Sequence, residues 1–313
     1  MRIISIVTPC FNEEENIEEV YLQVRNVFAK LPEYNLEHIF IDNASVDKTV
    51  SILKQIAEKD KKVKIIVNTR NFGRIRSSFY GLLQTNGDAA VFLASDLQNP
   101  PELIPDFIKK WEAGYKVVVA VKKNSNDSLI ISFLKGLYYK LLKKMADLSL
   151  IRNFDSFGLY DREIIRILKR INDPYPYFKG LICEIGFERA EIEYLQPKRE
   201  KGKSKNGFYN LFDTAILEIT SYSQVPLRIA TLLGFLLSFL SILTAFFYFV
   251  YKLVFWSSFS IGIAPLVIGV FFFSSVQIFF IGVVGEYLGL TYTQILKRPL
   301  VIEKERINFA EEK

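Results

Sequence analysis

Between Arg228 and Lys252, and again between Lys252 and Glu286, the chain carries no charged residue. Each interval can hold a helix of about 20 residues, the length that crosses a hydrocarbon core about 30 Å thick. A buried hairpin in a soluble core competes weakly, because such long uncharged stretches are unusual in water. Two membrane-spanning helices are therefore expected, near Leu227–Tyr251 and Ile263–Leu288, with "WSSFSIG" as the turn between them. Arg228, Lys297, Arg298, Lys304 and Arg306 flank the pair on one side, whereas the turn side offers only Lys252. The positive-inside rule then puts both termini in the cytoplasm.

The opening "MRIISIVTPCFNEEENI" meets acids too soon to read as a signal peptide and is expected to be a first strand. Cys10 and Cys183 are too few for a disulfide framework, and a cytoplasmic setting keeps thiols reduced. A net charge of +6 is compatible with nucleic acid or with an anionic leaflet; the spans favour the leaflet and no nucleic-acid partner.

From Ile3 to Val121, β-rich runs alternate with helical patterns. "IISIVT", "EHIFID", "KVKIIVN" and "AAVFLA" precede helices near Glu15–Lys30, Lys48–Lys59, Arg74–Gln84 and Pro101–Glu112, and "YKVVVAV" closes the series. Strict alternation implies an α/β domain with a mainly parallel sheet and helices on both faces. Ligands of such sheets bind beyond the carboxyl ends of the strands. Polar residues collect there: Thr8, Pro9, Asn12 and Glu13; Asp42 and Asn43; Asn68 to Gly73; Asp96 and Gln98. Singly, each reads equally well as a cap or turn residue; together they outline one crevice. Neither a dinucleotide nor a P-loop fingerprint occurs, and His38 with two distant cysteines cannot build a conventional zinc site. Chemistry here must use carboxylates, amides and cations.

Downstream, Pro197–Gly207 carries five cations against one acid. A solvated charge run is its ordinary reading. Beyond it, Phe208, Leu211, Phe212, Ala215, Ile216, Ile219 and Tyr222 recur at helical spacing, as in an amphipathic helix lying in the interface before the first span. The expected organisation is a domain over 1–205, a juxtamembrane helix over 206–226, a two-helix hairpin over 227–290 and a cytoplasmic tail over 291–313.

In the pieces "TPCFNEEENI", "IDNASVDKT", "RNFGRIRS", "SDLQNPPELI", "FGLYDREII" and "PKREKGKSK", followed by the paired spans, the chain resembles the family 2 glycosyltransferases of GT-A fold. These move a sugar from a nucleotide to a polyprenyl phosphate, and the closest likeness is to bactoprenol glucosyltransferases of the O-antigen (lipopolysaccharide) modification type. The resemblance implies that Pro9, Asn12 and Glu14 help hold base and ribose, that Asp42 accepts a hydrogen bond from the base, and that Arg70, Asn71 and Gly73 border the nucleotide. It implies that Asp96 and Gln98 coordinate Mg2+ or Mn2+ on the diphosphate, and that Arg199 and Lys205 contact phosphates of donor or lipid. It also implies a place in the bacterial inner membrane, inverting transfer of one hexose from UDP-glucose to undecaprenyl phosphate, and Asp96 as a catalytic carboxylate; Asp155 is the second candidate, on its closeness to the family's catalytic position alone.

Two departures stand out. Ala94 replaces the first aspartate of the family's D-x-D, and in "DSFGLYDR" Ser156 stands at the usual catalytic aspartate, with Asp155 one place earlier. The chemistry tolerates both: magnesium is held by one or two carboxylates plus substrate phosphates, and a phosphate monoester with a second pKa near 6 is already a nucleophile at neutral pH. The alternatives are a catalytically silent, membrane-tethered sugar-nucleotide binder, or a transferase using GDP-mannose or UDP-GlcNAc. A processive synthase is disfavoured because no Q-x-x-R-W motif is present. Gly285 and Gly289 have a small-xxx-small spacing that could pack helices of a homo-oligomer or only tighten the hairpin.

Overall fold

The computed structural model describes residues 1–123, 151, 153–197, 225–255 and 263–309. The five expected strand segments form β1 (Arg2–Cys10), β2 (Tyr34–Asp42), β3 (Val63–Asn68), β4 (Ala89–Phe92) and β5 (Val117–Lys122). Between them lie α1 (Ile17–Ala29), α2 (Thr49–Lys59), α3 (Arg74–Leu83) and α4 (Ile104–Glu112), the last entered through a short 3-10 turn at Pro101–Leu103. The strand runs are apolar almost without alternation because the sheet is covered on both faces. Ile4, Ile6 and Val91 pack against Val20, Val24 and Phe107 of α1 and α4, while Val7 and Ala90 pack against Phe79 and Leu82 of α3. α2 extends the first layer through Leu53 and Ile56 over Phe40 and Ile65.

The second half adds β6 (Gly158–Asp161), α5 (Arg162–Ile171), α6 (Phe178–Ile185) and β7 (Arg189–Tyr194). The sheet order is β7-β5-β6-β4-β1-β2-β3 with a further strand, β8 (Glu303–Ile307), beside β3. Thus β5 does not join β4, as a simple alternating series implies; β6 separates them and runs antiparallel to both. Gly158 makes that insertion possible, since a Cβ there would lie 2.3 Å from the Val118 carbonyl oxygen. α5 and α6 complete the second layer through Ile164, Leu168, Leu181 and Ile182.

The hairpin is present as α7 (Val225–Val254) and α8 (Ile263–Leu296), both long and apolar enough to cross a membrane, with Phe235, Phe239, Phe271 and Phe279 exposed along them. The "WSSFSIG" turn, the amphipathic stretch from Phe208 to Tyr222, and Arg199 and Lys205 lie outside the described residues. The expected boundaries need correction at the end of the chain. Residues 291–309 are not a separate tail: α8 runs on to Leu296, Lys297 ends it at φ 46, and β8 pairs antiparallel with β3. Leu300 and Val301, between helix and strand, are buried with Phe72, Phe79 and Leu181. The far end of the hairpin of candidate spans thus returns to the sheet formed by the residues before it.

One buried group dictates a pH response. His38, the chain's single histidine, is wholly buried in β2, its Nε2 3.0 Å from the Thr8 hydroxyl, its ring stacked on Phe40 and its Nδ1 without a partner. Burial pulls its pKa from 6.5 down to about 3. The unfolded chain therefore takes up a proton that the folded chain refuses, so stability falls as pH drops from 6.5 toward 3. At about 1.4 kcal/mol per pH unit, the loss between pH 6.5 and 5 is about 2 kcal/mol. Melting curves of the detergent-solubilised protein should show this decline, and His38→Gln should flatten it whatever its starting stability. Parallel profiles for the two proteins would assign the decline to other groups.

Candidate active site

The chain runs from β1 through β2 to β3 on one side, then crosses back so that β4 pairs with β1 on the other. That reversal opens a crevice beyond the strand ends between β1 and β4. The β1–β4 ladder stops at Val7–Phe92, and Pro9 follows where no N–H is needed for a further rung, although β1 still pairs with β2 as far as Cys10–Asp42. Backbone in the left-handed region gathers at this rim: Asn12 (φ 52), Ala44 (φ 63), Gly73 (φ 86), Leu97 (φ 58), Asn153 (φ 52) and Ser156 (φ 80). Such conformations cost of order 1–3 kcal/mol each at non-glycine residues and persist where surrounding contacts over-determine them.

On the β1–β2–β3 side those contacts are side chains holding neighbouring loops. Asn12 Oδ1 accepts from Val46 N–H at 2.9 Å while its own N–H donates to Ser45 Oγ at 2.8 Å. Glu14 Oε2 accepts from Lys48 N–H at 2.9 Å. Asp42 is buried and accepts from the Ser45 N–H and hydroxyl at 2.9 and 2.5 Å; burial raises its pKa, and those bonds oppose the rise. Asn43, also buried, is the hub: its Oδ1 accepts from Phe72 N–H and Asn68 Nδ2, and its Nδ2 donates to Asn71 Oδ1 at 2.8 Å. Asn71 Oδ1 accepts from Gly73 N–H as well, fixing the turn into α3. Arg70 lies over the Phe72 ring, 4.0 Å from its centroid. So Asn12, Glu14, Asp42, Asn71 and Gly73 are brought together as one framework of three loops, with Arg70 on its edge.

The β4 side holds the acids. Asp96 is half-buried after β4, and its Oδ1 accepts from Gln98 N–H at 3.2 Å, closing a tight turn through Leu97. Asn99 is buried; its Oδ1 accepts from Ala94 N–H at 3.3 Å and its Nδ2 donates to the Tyr194 hydroxyl at 3.2 Å. Asp155 precedes the left-handed Ser156, whose carbonyl accepts from Tyr160 OH at 2.8 Å. Asp155 Oδ2 lies 2.8 Å from Lys122 Nζ at the end of β5, and its Oδ1 is buried with no partner. Burial and then the Asp155 and Asp96 charges push the Tyr194 hydroxyl above its ordinary pKa, so both acids act on one phenol. The candidate catalytic pair, separated by a long stretch of sequence, is brought to one rim because β4 and β6 pair at Phe92–Gly158, with Asp96 following the one and Asp155 preceding the other.

Lys122, Asn99 and Tyr194 are the residues that strand-end reasoning did not assign to the site. Lys122 was within its reach, being the terminal residue of β5; Tyr194 carries no local signal, because it arrives on β7.

Among the described residues no three His, Cys, Asp or Glu side chains cluster as a metal cage. The site nevertheless fits a hard dication that keeps waters and substrate oxygens in its shell: the crevice supplies oxygen donors, and Asp155 leaves one carboxylate oxygen buried without a donor.

Residues 5–168 match Glycosyl transferase family 2. The chain is 34% identical to the uncharacterized glycosyltransferase YkcC of Bacillus subtilis (strain 168), over 95% of this chain and 92% of that protein. It is 35% identical to the SfII prophage-derived bactoprenol glucosyl transferase of Shigella flexneri, over 96% and 97%. With the prophage bactoprenol glucosyl transferase homolog of Escherichia coli (strain K12) the figures are 34%, 96% and 98%. A mannosyltransferase from Pyrobaculum calidifontis, solved with GDP-Man and Mn2+, aligns with a TM-score of 0.46 at 19% identity, over 69% of this chain and 61% of that one. The likeness to these curated relatives covers nearly the whole chain, and the chain belongs to glycosyl transferase family 2.

Proposed function

We propose that this glycosyltransferase moves one glucose, with inversion, from UDP-glucose to undecaprenyl phosphate at the cytoplasmic face of a bacterial inner membrane. The observation that carries the reading is the convergence of Asp96, Asp155 and Lys122 at the rim of a sheet whose last strand is delivered by a membrane hairpin. Near full-length relatives named bactoprenol glucosyl transferase support the lipid and the sugar, and the cationic flanks of the hairpin support the orientation. Gly285 and Gly289 remain the seam at which a homo-oligomer would pack.

The loop framework of Asn12, Asp42, Asn43 and Asn71 would seat the nucleoside, with Pro9, Glu14, Arg70 and Gly73 at its border. Asp96 and the Gln98 amide would hold Mg2+ or Mn2+, which when bound supplies positive charge to the departing diphosphate. Arg199 and Lys205 would add cations for phosphate. The acceptor phosphate is largely a dianion at neutral pH, so positioning carries more of the rate than deprotonation. Asp155, anchored on Lys122, would present its free oxygen to the residual proton or hold the acceptor in line.

A transfer assay tests this directly: purified protein, undecaprenyl phosphate, magnesium or manganese, and a panel of radiolabelled UDP- and GDP-sugars. Label entering the lipid phase from UDP-glucose is expected. Nucleotide binding without transfer from any donor would replace the reading with a silent sugar-nucleotide binder. In the same assay Asp155→Asn is expected to lower kcat about 10²-fold, the usual scale for a positioned acid–base group, with donor KM nearly unchanged. Wild-type turnover in that variant would remove Asp155 from the chemistry.

A further inference from the structure

Where the candidate span of α8 ends, three guanidinium groups gather with no counterion among the described residues. Arg70 and Arg76 approach the same Phe72 ring, 4.0 and 5.7 Å from its centroid. An Arg76 terminal nitrogen donates to the Pro299 carbonyl at 2.5 Å, which brings Arg298, the neighbouring residue, to the same corner. No ion pair among the described residues involves any of the three. Arg76 Nε is buried with no partner. Burial first, and then the charges of Arg70 and Arg298, hold the Arg76 guanidinium below its ordinary pKa, so the like charges are close enough to oppose one another. The N-terminus of α3, opened by Gly73, adds its positive dipole to the same corner.

Like charges crowded together cost free energy that an anion offsets. Their place decides which anion. Arg298 is exposed and stands two residues beyond Leu296, where the candidate span Gly269–Leu296 ends. The corner is also remote from the chemistry: β3 lies three places from β4 in the sheet, and at about 4.8 Å per strand this is roughly 14 Å. A phosphate held here is too far from the Asp96 end of the crevice to attack a sugar bound there.

We propose that Arg70, Arg76 and Arg298 form a docking site for the phosphate headgroup of an anionic membrane phospholipid. Its consequence is positional. Arg70 and Arg76 flank the loop that turns into α3, and Arg298 begins the segment leading to β8, so a headgroup bound there fixes the tilt of the crevice over the bilayer. The inference rests on α7 and α8 spanning a membrane, not on the identity of the sugar.

The test is native mass spectrometry of the full chain in detergent, titrated without any donor. The probes are phosphatidylglycerol, phosphatidylcholine, undecaprenyl phosphate and inorganic phosphate. Wild type is expected to retain phosphatidylglycerol over phosphatidylcholine, and Arg76→Gln/Arg298→Gln to weaken that retention about 30-fold, from roughly 1 kcal/mol per cation at an anionic surface. Arg298→Gln alone, which breaks no described hydrogen bond, should cost about 5-fold and guards against misfolding of the double variant. Arg298→Lys should restore most of it. Equal retention by wild type and Arg298→Gln would overturn the proposal. So would displacement of phosphatidylglycerol by an equal concentration of undecaprenyl phosphate, which would assign the corner to the acceptor, or by inorganic phosphate, which would make it a general anion site. Because no sugar is present, failure of the transferase reading leaves this result legible.

Discussion

Asp96→Asn is expected to reduce sugar transfer by about 10³-fold, equivalent to about 4 kcal/mol of transition-state stabilisation, with no more than a small change in melting temperature. The two halves of that expectation come from different atoms. Oδ1 accepts the Gln98 N–H that closes the turn after β4, and an asparagine carbonyl oxygen can do the same, so the loop should survive. What the substitution removes is the negative charge, and with it the only carboxylate between the end of β4 and the 3-10 turn at Pro101–Leu103. In a site with no three-acid cage among the described residues, loss of one acid cannot be compensated by the others. The measurement pairs radiolabel transfer at increasing manganese with a thermal melt. A variant that keeps more than about a tenth of wild-type activity at every metal concentration would take Asp96 out of the metal's shell. Partial recovery only at high manganese would instead mark a weakened but intact site.

How much of this could be read from the chain follows from how local each signal is. Strands β1 to β5 and helices α1 to α4 were legible because each is a short periodic run bounded by its own turn chemistry, and the hairpin because charge is absent over two long intervals. The strand-end rule then located Asp42, Asn71 and Asp96, since a parallel sheet sends its loops to one rim. β6 was hidden: "GLYD" is too short for periodicity to separate it from a turn, and its meaning comes from the Val118 carbonyl, against which only a glycine fits. Tyr194 joins the site through pairing of β7 with β5, a non-local arrangement with no trace in its own segment, whereas Lys122 needed only the strand-end rule applied to β5. Asn12 and Glu14 show the opposite limit. Their position was foreseen, but the bonds they make bind loop to loop, a framework role that spacing cannot distinguish from direct ligand contact.

The closing strand leads to the second large effect. Ending the chain at Arg298 is expected to lower its melting temperature by roughly 10–20 °C and to make it aggregate on warming, although every residue placed at the crevice remains. Leu300 and Val301 are buried, and each contributes about 1.5–3 kcal/mol by leaving water, together about 3–6 kcal/mol against a total stability of 5–15. Further anchors go with them: the Tyr80 hydroxyl loses Glu303, and the Ala57 and Val63 carbonyls lose Asn308 Nδ2. β3 becomes an open edge, a template for pairing with other chains. The exposed Lys54–Glu305 pair adds little to this sum. Function should follow stability, because the same segment supports the loop after β3: Thr69 N–H donates to the Ile302 carbonyl at 2.9 Å, and Phe72 packs with Leu300 and Val301. Below its lowered melting point the truncated protein should therefore bind nucleotide several-fold more weakly, whereas a chain ending at Phe309 should match the full protein in both respects. Unchanged melting in the chain ending at Arg298 would show that the sheet is complete without β8. Weak nucleotide binding with normal melting would confine the strand to the loop. The expected pairing of both losses makes the two-helix hairpin an insertion within the catalytic fold, with the sheet completed only after the chain has run through both candidate spans.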